Sequence, residues 1–226
     1  MLINAFSENG FDLSRFIIYA LSSCIVIFLT LPIHELAHGF VSTKLGDPTP
    51  RYQGRLTLNP LAHMDLFGSL GIFLFGIGWA KPVQVNARYY KNPKWGMALV
   101  ALAGPLSNVI LALVSLLLSN VFKMFVNDPI LLDLIIVFFE SIAQINVYLA
   151  VFNLLPIPPF DGSRILFVVL PQKYYFKIMR YERYIFIGIF ILLFTNVLDV
   201  PLDFLFVKVY TALYRLALLP FGLFGV

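Results

Sequence analysis

Two histidines and a glutamate lie close together in an apolar stretch of the chain. The run His34-Glu35-Leu36-Ala37-His38 places the two imidazoles four residues apart. On a helix this spacing puts both side chains on one face, where they can bind a single tetrahedral zinc. Glu35 follows the first histidine and can reach a water beside the metal as a general base. The run therefore predicts a catalytic site with His34 and His38 as zinc ligands.

The surrounding stretch, about residues 16–41, is apolar and long enough to cross a bilayer. Ionisable side chains inside such a span cost about 3 kcal/mol each on insertion scales, so they are functional by default. A chance match or a hydrogen-bonded polar patch is the alternative interpretation. Three ionisable side chains within five residues of a span require a common function, and metal binding provides one.

A catalytic zinc takes a third protein ligand. The candidates in this sequence are His63, Asp65, Glu140 and Asp161. Asp161 has the strongest context, because residues 153–162 end an apolar span with three prolines. A helix broken at membrane depth is tolerated where the backbone is buried or lines a wet cavity. In the other interpretation Asp161 caps the helix that follows, about residues 162–170. The spacing leaves both roles open.

The composition indicates a membrane protein. Of 226 residues, 60% are hydrophobic and 12% are charged, about half the charged fraction of a soluble domain. We predict an all-α polytopic fold with about five transmembrane helices, three of which form the catalytic core. The spans are expected at about residues 16–41, 97–122, 130–155, 184–198 and 202–219. They form one peptidase domain, residues 1–226, with the core at about 16–165, an insert at about 44–95 and extra helices at about 184–219.

The insert combines a short apolar segment with strand-like runs. Residues 66–79 are glycine-rich and too short for a full span, which favours a re-entrant or interfacial segment. Residues 55–58 and 81–86 alternate apolar and polar side chains, a pattern typical of strands. The pattern predicts a short re-entrant and β-hairpin insert on the cytoplasmic side.

Charge placement predicts the orientation. The stretches between spans one and two and between spans three and four carry most of the basic residues: Lys44, Arg51, Arg55, Lys81, Arg88, Lys91, Lys94, Arg164, Lys173, Lys177, Arg180 and Arg183. By the positive-inside rule these stretches face the cytoplasm of a prokaryotic cell membrane. The N-terminus is then outside, and the histidines lie nearer the cytoplasmic face. The net charge of +4 is small. The placement of the charges indicates the orientation of the chain in the membrane rather than nucleic-acid binding.

Three further polar residues each have two interpretations. His63 either borders the site, where it binds substrate or tunes the metal, or occupies an interfacial turn. Asn108 makes either an active-site hydrogen bond or a helix-packing contact. Asn146 lies seven residues before Asn153 and shares its helix face, so it either supports the site or bonds neighbouring helices.

Three motifs resemble the site-2 proteases, the intramembrane zinc metalloproteases. They are HELAH at residues 34–38, GPLSN at residues 104–108, and the N-x-x-P…D-G run at residues 153–162, in the order of that family. The resemblance implies one Zn²⁺ per chain held by His34, His38 and Asp161. It also implies Glu35 as general base and Asn153 as a group that stabilises the oxyanion or positions substrate.

The resemblance also identifies the glycine-rich segment and residues 82–86 as the family's β-element, which pairs with an extended substrate. Only residues 123–129 stand where longer members carry a PDZ domain, and no CBS pair is visible, so the chain resembles a compact subgroup. We expect hydrolysis of peptide bonds in or near transmembrane segments of membrane-protein substrates. The alternatives are a metal-binding protein or transporter and a non-catalytic scaffold, and the oligomeric state is not indicated.

Overall fold

The computed structural model describes residues 6–7, 10–75, 78–195 and 197–222. Helices make up most of it: α1 Leu13–Ile25, α2 Leu31–Lys44, α3 Thr49–Tyr52, α4 Leu66–Phe75, α5 Pro93–Phe125, α6 Pro129–Asn153, α7 Gly162–Val169, α8 Gln172–Arg180, α9 Glu182–Phe194 and α10 Asp199–Gly222. Two short strands, β1 Phe6–Ser7 and β2 Gly10–Phe11, pair antiparallel. The predicted all-α class is therefore confirmed.

The long helices begin at side chains that satisfy their first free amides. Asn92 accepts from the Trp95 amide at the start of α5, and Asp128 accepts from the Leu131 amide at the start of α6. In both helices a proline follows the cap, at the first position, where its missing N–H costs nothing. These signals fix where the two core helices start, and α6 ends at Asn153, before the proline-rich run.

The helix with the histidines is continuous with α1 through one turn of π-helix at residues Val26–Thr30. Pro32 follows that turn and cannot donate to the ladder. A π turn accommodates such a break by adding one residue to the turn. Residues 13–44 thus form one apolar helical stretch of 32 residues, about 48 Å long at the α-helical rise.

Four helical stretches in the described residues are long and apolar enough to span a membrane: Leu13–Lys44, Pro93–Phe125, Pro129–Asn153 and Asp199–Gly222. The chain is therefore a multi-pass membrane protein. The span expected at about residues 184–198 is not confirmed, because α9 has only 13 residues. At about 20 Å it is shorter than the ~30 Å hydrocarbon core.

The hairpin expected in the insert is not confirmed. Residues 55–58 and 81–86 are not strands, and α4 is a helix of 10 residues. The reason lies in the backbone donors of residues 81–86, which are engaged elsewhere. Lys81 N–H donates to the His63 carbonyl, Val83 N–H to Glu35, and Asn86 N–H to Asp47. An alternating run becomes a strand only when its donors find another strand.

Helix α5 lies at the centre of the bundle. It packs against α2, α6, α7 and α10, and α1 packs against α6. Small residues occur along the buried face of α5, including Gly104, Ala112 and Ser115. In a membrane, small side chains allow helix backbones to approach closely. The core is therefore α1–α2, α5 and α6, with α7 and α10 packed against α5.

A buried carboxylate ties the insert to the end of α2. Asp47 is 1% exposed and accepts from the hydroxyl of Ser42 at 2.8 Å and from the amides of Thr49 and Asn86 at 2.9 and 2.7 Å. Ser42 also bonds the Tyr90 hydroxyl at 2.7 Å. Burial raises the pKa of Asp47, but the hydrogen bonds it accepts outweigh burial and hold the pKa below its usual range.

We expect Asp47→Ala to lower the free energy of unfolding by about 3 kcal/mol, because it leaves several buried donors without a partner. Asp128→Ala, which removes only an exposed helix cap, should cost about 1 kcal/mol. Thermal unfolding of both variants in detergent measures the difference. The Asp47 contribution is complete above the unfolded-state pKa of about 4 and disappears as pH falls through the lower folded-state pKa. Equal losses for the two variants would contradict this account.

Candidate metal centre

Three ligand-type atoms from two distant parts of the chain meet at one point. The Nε2 atoms of His34 and His38 are 3.1 Å apart. The Oδ2 atom of Asp161 is 3.4 Å from the first and 3.1 Å from the second. Atoms that bind a tetrahedral zinc at about 2.0–2.1 Å lie about 3.3–3.4 Å from each other. The separations fit such a site, and no other group of three metal-ligating side chains converges in the described residues.

The hydrogen bonding of His38 indicates that the three ligand atoms require a cation between them. Its Nδ1 is 2.7 Å from the Val100 carbonyl, which can only accept, so this nitrogen carries the proton. Nε2 of the neutral ring then presents a lone pair to the carboxylate of Asp161. Two acceptors 3.1 Å apart repel each other unless a cation or a proton lies between them. The donor set therefore fits a metal cation, and the Val100 carbonyl orients the ligand.

Asp161 reaches the histidines because the chain turns sharply after α6. It directly precedes α7, but its side chain makes no capping hydrogen bond to that helix. The capping role left open by the sequence is therefore wrong. The carboxylate instead points towards the two imidazoles and is 17% exposed.

A glycine in α5 makes room for the two imidazoles. A Cβ atom placed on Gly104 would lie 2.6 Å from the Nε2 and Cε1 atoms of His34, far inside contact distance. Only a residue without a side chain lets α5 pass this close to the histidines. The GPLSN run thus provides the back wall of the centre.

Glu35 lies at the same centre and is 7% exposed. Its Oε2 atom accepts a hydrogen bond from the backbone N–H of Val83 at 2.7 Å. That donor belongs to the extended run 81–86 of the insert. The run is held in place by its bonds to His63 and Asp47. The insert thus contacts the predicted base directly, by main chain rather than by side chain.

A cavity of about 1100 Å³ opens from these residues. Its walls come from α2, α4, α5, α6, α7 and the segment after α4. Its basic end is lined by Arg164 of α7, Arg180 of α8 and Arg183 of α9. Small-molecule pockets span about 300–1,000 Å³, so this cavity exceeds a typical one. It is large enough for a segment of peptide.

The remaining predicted residues separate into two groups. Asn108 and Asn153 line the cavity with His34 and Glu35. His63 does not: it is fully buried in the insert, where its Nε2 bonds the Thr57 carbonyl. Asn146 does not line the cavity either, because its Nδ2 donates to Thr30 Oγ1 and the Ile142 carbonyl.

Sequence reasoning missed Val83 and Asp47. The contribution of Val83 is a backbone N–H, which no side-chain pattern reveals. Asp47 follows a glycine that adopts a positive φ of 103°, and the Gly-Asp-Pro run is a turn signal. Nothing in that signal shows that its carboxylate is buried. The steric role of Gly104 can be recognised only once the positions of the histidines are known.

Comparisons with known proteins identify the family. The sequence model of "Peptidase family M50" matches residues 118–195. The Bacillus subtilis protein named "Putative zinc metalloprotease YwhC" is 42% identical over 81% of this chain and 86% of that protein. The chain belongs to peptidase family M50, the site-2 proteases. "Zinc metalloprotease MJ0392" of Methanocaldococcus jannaschii is 29% identical over 66% of this chain and 34% of that protein. No solved structure matches the chain.

Membership of this family confirms the recognition made from the three motifs. The chain is a membrane metallopeptidase, and zinc is the metal for which its ligand set is suited. The compact form predicted from the sequence is consistent with a match that spans most of YwhC.

We expect Asp161→Ala to weaken zinc binding on the order of 100-fold or more, because it removes a ligand. Competition with a chromogenic chelator measures the affinity. Asp65→Ala is the matched control, since this carboxylate accepts from the Gly68 amide at the start of α4. The control should lose stability and keep its zinc. Equal zinc affinity of the two variants would remove Asp161 from the ligand set.

Proposed function

We propose that this protein is an intramembrane zinc protease that hydrolyses peptide bonds in or near the transmembrane segments of other membrane proteins. The observation that carries the proposal is the position of the centre inside a spanning helix. His34 follows Leu13 by about 32 Å of helix and precedes Lys44 by about 15 Å. A membrane-embedded substrate already lies at this depth, whereas a soluble one would have to enter the bilayer to reach it.

The chemistry follows from the three predicted metal ligands and Glu35, all of which face the cavity. Zinc bound by His34, His38 and Asp161 would polarise the scissile carbonyl and make a water more acidic. Glu35 takes the proton of that water as it adds to the carbonyl carbon. Glu35 then delivers the proton to the nitrogen as the C–N bond breaks, which leaves a carboxylic acid and an amine; the acid then loses its proton to the amine or to solvent.

Two further contacts prepare the site for this reaction. The Val83 N–H holds one oxygen of Glu35, so the other is free for the water. Asn153 uses one N–H for the Leu149 carbonyl at 2.9 Å and keeps the second for the negative charge that develops on the substrate oxygen.

The substrate has to lose its helical structure before it is cut. A transmembrane helix bonds all its peptide groups internally, so the scissile group becomes accessible only after local unwinding. The freed N–H and C=O groups then need new partners in the cavity. Residues 81–86 can supply only part of them as an edge strand, since three of their amides are already engaged.

We further propose that the whole site lies in residues 16–165, with the insert at 44–95 and the helices at 184–219 packed around it as one peptidase domain. The basic stretches support, by the positive-inside rule, the topology that we propose, with the N-terminus outside and the centre towards the cytoplasm of a prokaryotic cell. A scaffold would have no use for a carboxylate base beside the metal ligands, and the sequence shows no paired halves of the kind found in many transporters.

The direct test is Glu35→Gln, which preserves size and removes the base. We expect zinc content to stay unchanged and cleavage to fall by about 10²–10⁴-fold. Purified protein in detergent is incubated with a panel of single-span membrane-protein fragments, and products are identified by mass spectrometry. Cleavage by the Gln variant at the wild-type rate would refute this mechanism. A wild-type protein that cuts none of the fragments would count against the proposed function.

The Val83 contact predicts a second result. Val83→Pro removes the N–H donor, so Glu35 loses the partner that orients it, and kcat should fall about 10- to 100-fold. Val83→Ala keeps the donor and is the matched control, with kcat within about threefold of wild type. Zinc content and thermal stability of both are measured to exclude misfolding. If the two variants have equal kcat, the hydrogen bond has no role in the reaction.

A further inference from the structure

One polar side chain at the centre has no structural explanation. Asn108 in α5 is fully buried, and neither its Nδ2 nor its Oδ1 has a hydrogen-bond partner in the described part of the chain. A buried amide without partners costs free energy, and such groups are rare in folded proteins. Each exception needs a specific explanation, such as a catalytic role or a ligand that binds there.

The position of Asn108 shows where that partner would lie. It follows Gly104 by four residues and so shares the face of α5 that touches the imidazoles. Along this face, Val100 bonds His38 and Gly104 backs both imidazoles. Asn108 continues the row past the metal ligands, about 6 Å further along the helix, and lines the cavity beside His34.

The other two asparagines near the centre already use their side-chain N–H groups, although Oδ1 of Asn146 has no partner in the described residues. Asn153 donates to the Leu149 carbonyl, and Asn146 donates to Thr30 and to the Ile142 carbonyl. Asn108 is therefore the one among the three whose donor and acceptor both lack partners in the described residues. Packing alone does not explain it, because an apolar side chain of the same size would pack equally well without the penalty.

An asparagine side chain carries the same two groups as a peptide unit. Its N–H donates to a carbonyl while its oxygen accepts from an N–H. An unwound membrane segment offers those two groups, and they have no water to bind at this depth. We propose that Asn108 binds one peptide group of the unwound substrate, next to the scissile bond on the side that lies deeper in the membrane.

This inference rests on the proposed function and adds a binding residue to it. Asn108 is out of reach of solvent in this structure, so the substrate meets it only as the cavity walls separate. The bond exists before and during the reaction. Its loss should therefore raise KM and leave kcat nearly unchanged.

The test uses Asn108→Leu, which keeps the size of the side chain and removes both polar groups. In a Glu35→Gln background, the affinity for a fluorescent transmembrane peptide that the wild type cleaves is measured in nanodiscs. We expect the Leu variant to bind about 10- to 100-fold more weakly, with unchanged zinc content and a Tm equal to or above that of its parent. Asn146→Leu is the matched control: it should lose Tm and retain affinity.

An ester scan of the same peptide locates the contact. Replacing one substrate amide by an ester removes one N–H. At the position that Asn108 contacts, this replacement should weaken binding to the parent but not to the Leu variant. Equal affinity of parent and Leu variant would overturn the inference while cleavage by the wild type still supports the proposed function. If the Leu variant loses zinc or fails to fold, Asn108→Ser is measured in its place under the same criteria.

Discussion

The close approach of α5 to the two imidazoles is the contact on which the rest of the structure depends. Where Gly104 passes His34, any side chain would overlap the ring. That approach lets the Val100 carbonyl fix the ring of His38, and it brings α6, which packs on α5, close enough for the following turn to deliver Asp161. Three electron-rich atoms are thereby held within 3.1–3.4 Å of each other. Such an arrangement is stable when a cation neutralises it.

The insert is held by two side-chain carboxylates and one main-chain carbonyl instead of by a sheet. Asp47, Glu35 and the His63 carbonyl take the amides that a neighbouring strand would otherwise receive. Hydrogen bonds at three separated points fix the position of this extended segment. The backbone groups between those points are not used by these bonds. The same bonds that fix the segment also orient the base, so the position of the insert and the readiness of the site are coupled.

Much of the site was predictable because it consists of characteristic side-chain types at helical spacing. His34 and His38 follow from their separation, and Asp161 from the broken helix before it, although the sequence left its capping role open. The hairpin was not predictable, because the alternation of residues 81–86 describes which side chains are buried and not which acceptors take the amides. Val83 acts through a group that every residue except proline has. The span expected at residues 184–198 was apolar enough, but α9 ends at Phe194, before the run reaches a spanning length.

The π turn at Val26–Thr30 sets the rotation of α2 about the helix axis relative to α1. One extra residue in that turn rotates everything after it by about 100° relative to an uninterrupted α-helix. The face of α1 that bonds α6 through Ser22 and the face of α2 that carries the histidines are matched only with this extra residue present. Deleting or inserting a single residue between Ser22 and His34 would leave the composition and length of the span adequate for a membrane, but would rotate His34 and His38 relative to the face that contacts α6. This part of the first span can therefore tolerate changes of residue type more readily than changes of length.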